Sequence, residues 1–165
     1  MSIIDTRPRE GTALQKNLFG TRRDALDGVL LALRFALALV VFPHGAQKLF
    51  GWYGGYGFAG TLGFFTGTMH LPAFLGVLAI LAEAIGPILV FIGVFTRLGA
   101  LAIAVNMIVA VATVHLANGF FMNWTGQQKG EGIEYFIYAI VVALTLVIAG
   151  PGRYSVDARL AVPRD

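Results

Sequence analysis

Long apolar blocks separated by short polar or glycine-rich stretches set the pattern of this chain. The blocks run over about 28–50, 72–95, 98–117 and 133–149. An α-helix needs ~17–25 predominantly apolar residues to cross a bilayer, so the pattern predicts four membrane-spanning helices. Their ends carry the expected punctuation. Gly51 suits the residue just past a helix C-terminus, Pro72 suits a helix start, and Asn118-Gly119 and Gly150-Pro151-Gly152 are stop signals. Two prolines fall inside blocks. Pro43 removes the bond to the Leu39 carbonyl and predicts a kink near His44. Pro87 likewise frees the carbonyl of Glu83, so a polar side chain and an unpaired carbonyl share one turn.

Between the first two blocks, residues 51–71 hold seven glycines among Trp52, Tyr53, Tyr56, Phe58, Phe64 and Phe65. Phe58, Leu62, Phe65 and Met69 repeat at helical spacing, which predicts a glycine-rich turn and then a short helix in the membrane interface. The chain divides into a polar N-terminal tail (1–27), a membrane domain (28–150) and a polar C-terminal tail (151–165). Leu14, Leu18 and Leu26 either line a short interfacial helix or punctuate a solvated tail. That tail is too long and too mixed in charge for a signal peptide.

Composition supports the membrane reading. The chain of 165 residues is 57% hydrophobic and 13% charged, against ~25% charged in a soluble domain. It has no cysteine, which excludes disulfides, thiolate nucleophiles and Cys-ligated metals. The net charge of +3 is no nucleic-acid signal, because the basic residues sit at block ends. Four spans place both termini on one side. Nine lysines and arginines fall on that side and two, Lys48 and Lys129, on the other. The imbalance predicts cytoplasmic termini. His44, Gln47, Lys48, His115, Asn118, Glu131 and Glu134 then gather at the outer end.

Charged groups inside a membrane usually have partners and often a task. At 100° per residue Arg34, His44 and Lys48 share an arc of roughly 80° on the first helix. Glu83 lies near the middle of the second. An acid there costs ~2.5–3.5 kcal/mol on insertion scales. The residues leave its role open between an ion pair with Arg34, a proton-carrying carboxyl with a raised pKa, and an inert, protonated, lipid-facing side chain. Lys48 alone reads as a snorkelling lysine; Asn106 reads as a hydrogen bond to another helix. His44, His115 and Glu134 have the ligand types of a His₂-carboxylate site, but no local motif accompanies them and no metal is predicted. A quinone pocket asks for less: an apolar slot and a donor for each carbonyl oxygen, with aromatic walls such as Trp52, Tyr53 and Tyr135. No GxSxG and no phosphate-binding GK[ST] occurs.

The motifs Phe42-Pro43-His44-Gly45-Ala46-Gln47-Lys48-Leu49-Phe50-Gly51, Gly57-Phe58-Ala59-Gly60-Thr61, Glu83 before Gly86, Val114-His115-Leu116-Ala117-Asn118-Gly119, Gly132-Ile133-Glu134-Tyr135 and Gly150-Pro151-Gly152-Arg153, in that order, resemble the DoxX family of small bacterial inner-membrane proteins. The resemblance covers about 28–160. It implies an all-α, integral-membrane four-helix bundle in the bacterial cytoplasmic membrane, and a link to quinone-dependent oxidoreductases or redox-stress systems. On that expectation His44, His115 and Glu134 are the catalytic candidates. Lys48, Gln47, Trp52, Tyr53 and Tyr135 line a quinone or small-substrate site, and Glu83 with Arg34 forms an intramembrane ion pair or proton relay. Quinone is the expected cofactor, and the expected partners are the lipid bilayer, soluble redox enzymes and a second copy of the chain. The alternative is a non-catalytic scaffold whose tails recruit soluble redox enzymes.

Overall fold

The computed structural model describes residues 22–161. Leu14, Leu18 and the rest of the polar tail before Arg22 lie outside the described residues. Helix α1 runs from Arg22 to Phe50. A 3-10 turn over Trp52–Gly54 leads to α2, Gly57–Gly67. Helices α3 (Ala73–Ala84) and α4 (Gly86–Ile92) follow, then α5, Thr96–Ala110. Helix α5 widens into a π-turn over Val111–His115 and tightens to a 3-10 turn over Leu116–Asn118. After the 119–132 loop come α6, Glu134–Ala149, and the short α7, Val156–Leu160. No strand occurs among the described residues.

Among the described residues three helical segments are long and apolar enough to cross a membrane: Arg23–Phe50, Ala73–Ile92 and Thr96–Asn118. Helix α6 is equally apolar but has 16 residues, about 24 Å at 1.5 Å per residue. Helix α1, with 29 residues, reaches about 44 Å and outruns a ~30 Å hydrocarbon core. Its first turns therefore carry Arg23, Asp24 and Asp27, which the hydrophobic pattern had placed in a tail. The helix runs through Pro43 unbroken. Pro87 acts more strongly: it sits in the first turn of α4, and the second apolar block divides at Ile85.

The core is drawn from four helices. Leu37 and Val41 of α1, Val90 of α4, Ile103 and Met107 of α5, and Ala143 and Leu146 of α6 are all buried. Helices α4 and α5 cross at glycines: a Cβ on Gly99 would lie 3.0 Å from the Gly86 carbonyl oxygen. Small residues let apolar helices approach closely enough for dispersion contacts to hold them in lipid. The outward faces are hydrocarbon as well. Leu39 (76% exposed), Leu98 (62%) and Ile148 (77%) would be costly in water and are at home among acyl chains.

Arginines close one end of the molecule. Arg34 is buried in α1 and does not meet Glu83. Its Nε donates to the Val90 carbonyl (2.8 Å) and its Nη2 to that of Phe91 (2.7 Å), both in the last turn of α4. Its Nη1 donates to the Tyr154 carbonyl (2.7 Å) and more weakly to that of Pro151 (3.3 Å). A cation is thus placed on helix-end carbonyls that have no partner within the helix. Arg97 does the same for α6, donating to the Val147 carbonyl at 2.7 Å.

Asp157 completes the closure. The α4–α5 turn contains Gly93 at φ 81° and Phe95 at φ 47°, a strained conformation for a non-glycine residue. Asp157 fixes it by accepting from Phe95 N (2.8 Å), Thr96 N (2.9 Å) and Thr96 Oγ1 (2.8 Å). Its own N–H donates to the Gly93 carbonyl at 2.8 Å. Arg153 pairs with Asp24 and Asp27, so the described chain begins and ends at the same end of the molecule. Burial pushes the Asp157 carboxyl upward, but the bonds from Thr96 and Phe95 and the charge of Arg34 outweigh it and hold it below the usual carboxylate range. A depressed carboxyl stabilises the fold above its unfolded pKa of ~3.9 and loses that contribution as pH falls through its folded value. In detergent, Asp157→Asn removes the charge and one of the two acceptor oxygens, and should lower stability at pH 7 by about 1.5 kcal/mol, the worth of a hydrogen bond to a charged group. Thermal melts from pH 7 to pH 2 should show the gap to wild type closing below pH 4.

Candidate functional site

Helices α1 and α3 meet at Gly45. A Cβ there would lie 2.0 Å from the Glu83 carbonyl oxygen and 2.5 Å from the Ala84 nitrogen. No side chain larger than hydrogen fits this crossing. Pro87 cannot supply the helical bond to that carbonyl, so the backbone closest to Gly45 is also the least regular part of α3. The crossing sets the height of the Glu83 side chain, almost level with Lys48, one turn along α1. Arg34 lies 14 residues before Lys48, about 21 Å away along the helix. The expected Arg34–Glu83 pair is therefore not formed, since one carboxyl cannot reach both cations.

Glu83 is 4% exposed. Its Oε2 pairs with Lys48 Nζ, and its Oε1 accepts from Asn106 Nδ2 at 2.7 Å. Three helices, α1, α3 and α5, are pinned to one carboxylate. Lys48 turns inward to this pair instead of snorkelling. The ion pair and the amide offset the cost of burying the carboxylate, and removing one partner of a buried pair leaves an uncompensated charge worth ~3–5 kcal/mol.

His44 stands one turn before Lys48 and is exposed. Glu83 and Lys48 both lie within electrostatic reach of its ring. On its other side is Tyr135 of α6, with ring centroids 5.8 Å apart and planes tilted by 44°. The Tyr135 hydroxyl is buried and has no hydrogen-bond partner among the described residues. Gln47 is half-buried on the same stretch of α1. The glycine-rich loop returns against it, since a Cβ on Gly55 would lie 2.3 Å from the Gln47 carbonyl oxygen. Trp52 and Tyr53 are 51% and 72% exposed, and their ring contacts are with Phe50 and with each other.

His115 and Glu134 belong to a second knot. His115 Nδ1 bonds the Glu131 carbonyl at 2.8 Å, and Asn118 Nδ2 donates to the same oxygen at 3.1 Å. Glu134 Oε2 accepts from Met122 N at 3.2 Å, and Glu131 Oε2 from Asn123 N at 2.6 Å. A Cβ on Gly132 would meet the carbonyl oxygens of Phe121, Phe120 and Gly119, at 2.4, 2.6 and 2.7 Å. These side chains fasten the 119–132 loop to its own backbone. Among the described residues no hydrogen bond, ion pair or ring contact joins His44 directly to His115 or Glu134. A row of rings connects them: His115 lies 4.1 Å from Phe136, Phe136 5.1 Å from Tyr135, and Tyr135 reaches His44. No group of three or more His, Asp or Glu side chains able to hold a metal ion occurs among the described residues.

Sequence reasoning identified Asn106 as a cross-helix hydrogen-bonder but not its partner. It missed Gly45 and Asp157. A glycine one residue beyond the polar His44 and one turn before Lys48 is the signal for the first. Ser155 and Asp157, at the start of a short amphipathic stretch, were a fainter signal for the second; Ser155 Oγ caps α7 by accepting from Ala158 N at 3.1 Å.

A family model described as DoxX matches residues 29–116, which include Arg34, His44, Lys48, Glu83 and Asn106. The chain belongs to the DoxX family. It is 36% identical over 127 residues to a Bacillus subtilis protein named "Putative oxidoreductase CatD", covering 77% of this chain and 83% of that one. It is 30% identical over 145 residues to "Inner membrane protein YphA" of Escherichia coli, covering 86% and 94%. An uncharacterised Haemophilus influenzae protein is 32% identical over 130 residues. No solved structure matches the chain. Family membership and the apolar helices make this a multi-pass protein of the bacterial inner membrane.

Two outcomes test the geometry of this DoxX site. Gly45→Ala should push α1 from α3 and cost about 1–3 kcal/mol, the range for overpacking, seen as a lower melting temperature in detergent. Lys48→Met should destabilise strongly, and adding Glu83→Gln should restore part of the loss. A double-mutant cycle in which the two losses simply add would show that the pair is not coupled.

Proposed function

We propose that this protein is the membrane component of a quinone-linked oxidoreductase or redox-stress system, and that it binds a quinone or small redox substrate beside His44. The observation that carries the reading is one cluster: a buried Glu83 held by Lys48 and Asn106, next to an exposed imidazole and a buried Tyr135 hydroxyl that has no partner among the described residues. The fit with a quinone is chemical. Its carbonyl oxygens need donors when oxidised and protons when reduced, and the cluster offers both within an apolar bundle. His44 exchanges protons with the reduced ring because it is exposed on one side and faces the ion pair on the other. Glu83 and Lys48 hold the local charge balanced during that exchange. Electron transfer needs a bound carrier, since the chain has no cysteine to serve as a redox centre.

In this reading α1, α3 with α4, α5 and α6 form a four-helix bundle with cytoplasmic termini. The nine-to-two distribution of basic residues supports that orientation, and it puts His44 and Lys48 near the periplasmic face. The relative named as an oxidoreductase supports the redox assignment. His115 and Glu134 act at one remove, by shaping the loop beside α6.

A scaffold that recruits soluble redox enzymes is the second reading. It is favoured by how many polar side chains, Arg34, His115 and Glu134 among them, are engaged in holding backbone together. The two readings separate in one experiment. Purified protein should carry quinone extracted from the native membrane, and His44→Ala should lower quinone-dependent turnover about 10²-fold or more, the usual contribution of a proton-transfer group. Unchanged turnover in His44→Ala, with activity lost only when residues 1–21 are removed, would favour the scaffold.

A further inference from the structure

The donors around the site differ in whether they are available. Lys48 Nζ is paired with Glu83, and Asn106 Nδ2 is on the other oxygen of the same carboxylate. Arg34, the other cation within the helical core, is surrounded by four carbonyls some 21 Å away along α1. Each cation is therefore already engaged, although Lys48 keeps 31% of its side chain exposed. The unpaired donor is neutral: the Tyr135 hydroxyl, buried, without a partner among the described residues, and within the field of Glu83. The exposed His44 ring stands 5.8 Å from the Tyr135 ring.

We propose, resting on the reading above, that this site selects an uncharged ligand with a carbonyl-type oxygen, received by the Tyr135 hydroxyl, and rejects anions. An anion that took Lys48 would leave the Glu83 carboxylate buried with one amide and a second negative charge beside it. Such an unpaired buried charge is strongly unfavourable. A neutral acceptor needs no such exchange. It meets a donor already desolvated, and a desolvated donor without a partner discriminates sharply in favour of a ligand that supplies one. Tyr135 is thereby a specificity-determining residue. Its hydroxyl destabilises the ligand-free protein, because a buried donor left unmade costs more than an apolar group of the same shape.

The test uses full-length protein in detergent and four additions: a short-chain 1,4-benzoquinone, a redox-inert aromatic ketone of similar size, sodium thiosulfate, and sodium chloride at matched ionic strength. Without ligand, Tyr135→Phe should melt above wild type. The quinone and the ketone should each raise the wild-type melting temperature, and Tyr135→Phe should bind both about tenfold more weakly, the loss of roughly one hydrogen bond. Thiosulfate should protect no better than chloride. Thiosulfate protection overturns the proposal, as does a Tyr135→Phe variant that melts at or below wild type, or one that binds the ketone as well as wild type does. Ketone protection that depends on Tyr135, with no quinone-dependent turnover, upholds the neutral site and removes the redox reading. Quinone turnover together with thiosulfate protection does the reverse. No protection by either carbonyl compound overturns both.

Discussion

A carboxylate in the middle of an apolar bundle is the constraint on which the rest of this structure depends. Glu83 cannot remain charged there alone, and its two oxygens take one partner each from two other helices, Lys48 of α1 and Asn106 of α5. Three helices must therefore meet at one height. Gly45 permits that meeting by removing the side chain that would hold α1 away from α3. The same small residue thus serves packing and electrostatics. Shape complementarity draws two backbones together, and their approach brings a lysine within reach of an acid that would otherwise face hydrocarbon.

The opposite end of the molecule solves a different problem with similar means. Helix C-termini end in carbonyls without partners, and in an apolar setting these must be met. Arg34 and Arg97 meet them for α4 and α6. Asp157 performs the complementary task at the N-terminus of α5. Cations on helix C-termini and an anion on an N-terminus follow the sense of the helix dipoles. The ends are rigidly satisfied as a result, and the polar groups that remain adaptable lie near His44 and Tyr135.

The 119–132 loop shows how position along a sequence misleads about role. His115 and Glu134 lie at the ends of apolar blocks, as His44 nearly does, and all three look alike in a hydropathy profile. In space, His115 and Glu134 hold backbone groups of a loop that has little regular structure of its own. A loop of this kind leaves many N–H and carbonyl groups without ladder partners, and nearby polar side chains satisfy them first. His44 sits on a regular helix whose backbone needs nothing from it, so its ring remains exposed beside the ion pair.

Much was legible in the chain alone. The apolar blocks, the glycine and proline punctuation and the scarcity of charge determined an all-helical membrane protein, because length and hydropathy are properties of consecutive residues. The ordered motifs around His44, Glu83 and His115 determined the family. The expense of Glu83 was legible too, since burying an acid is costly whatever surrounds it. Its partner was not. Choosing Lys48 over Arg34 required the height at which two helices cross, which is fixed by the fit of Gly45 against the backbone at Glu83. The pairing of Asp157 with the start of α5 spans 61 positions and depended on how the C-terminal segment folds back. That the Tyr135 hydroxyl is buried without a partner among the described residues could be recognised only once the helices had been placed. A sequence records which polar groups must find partners; distances between helices decide which partners they find, and which group is left with none.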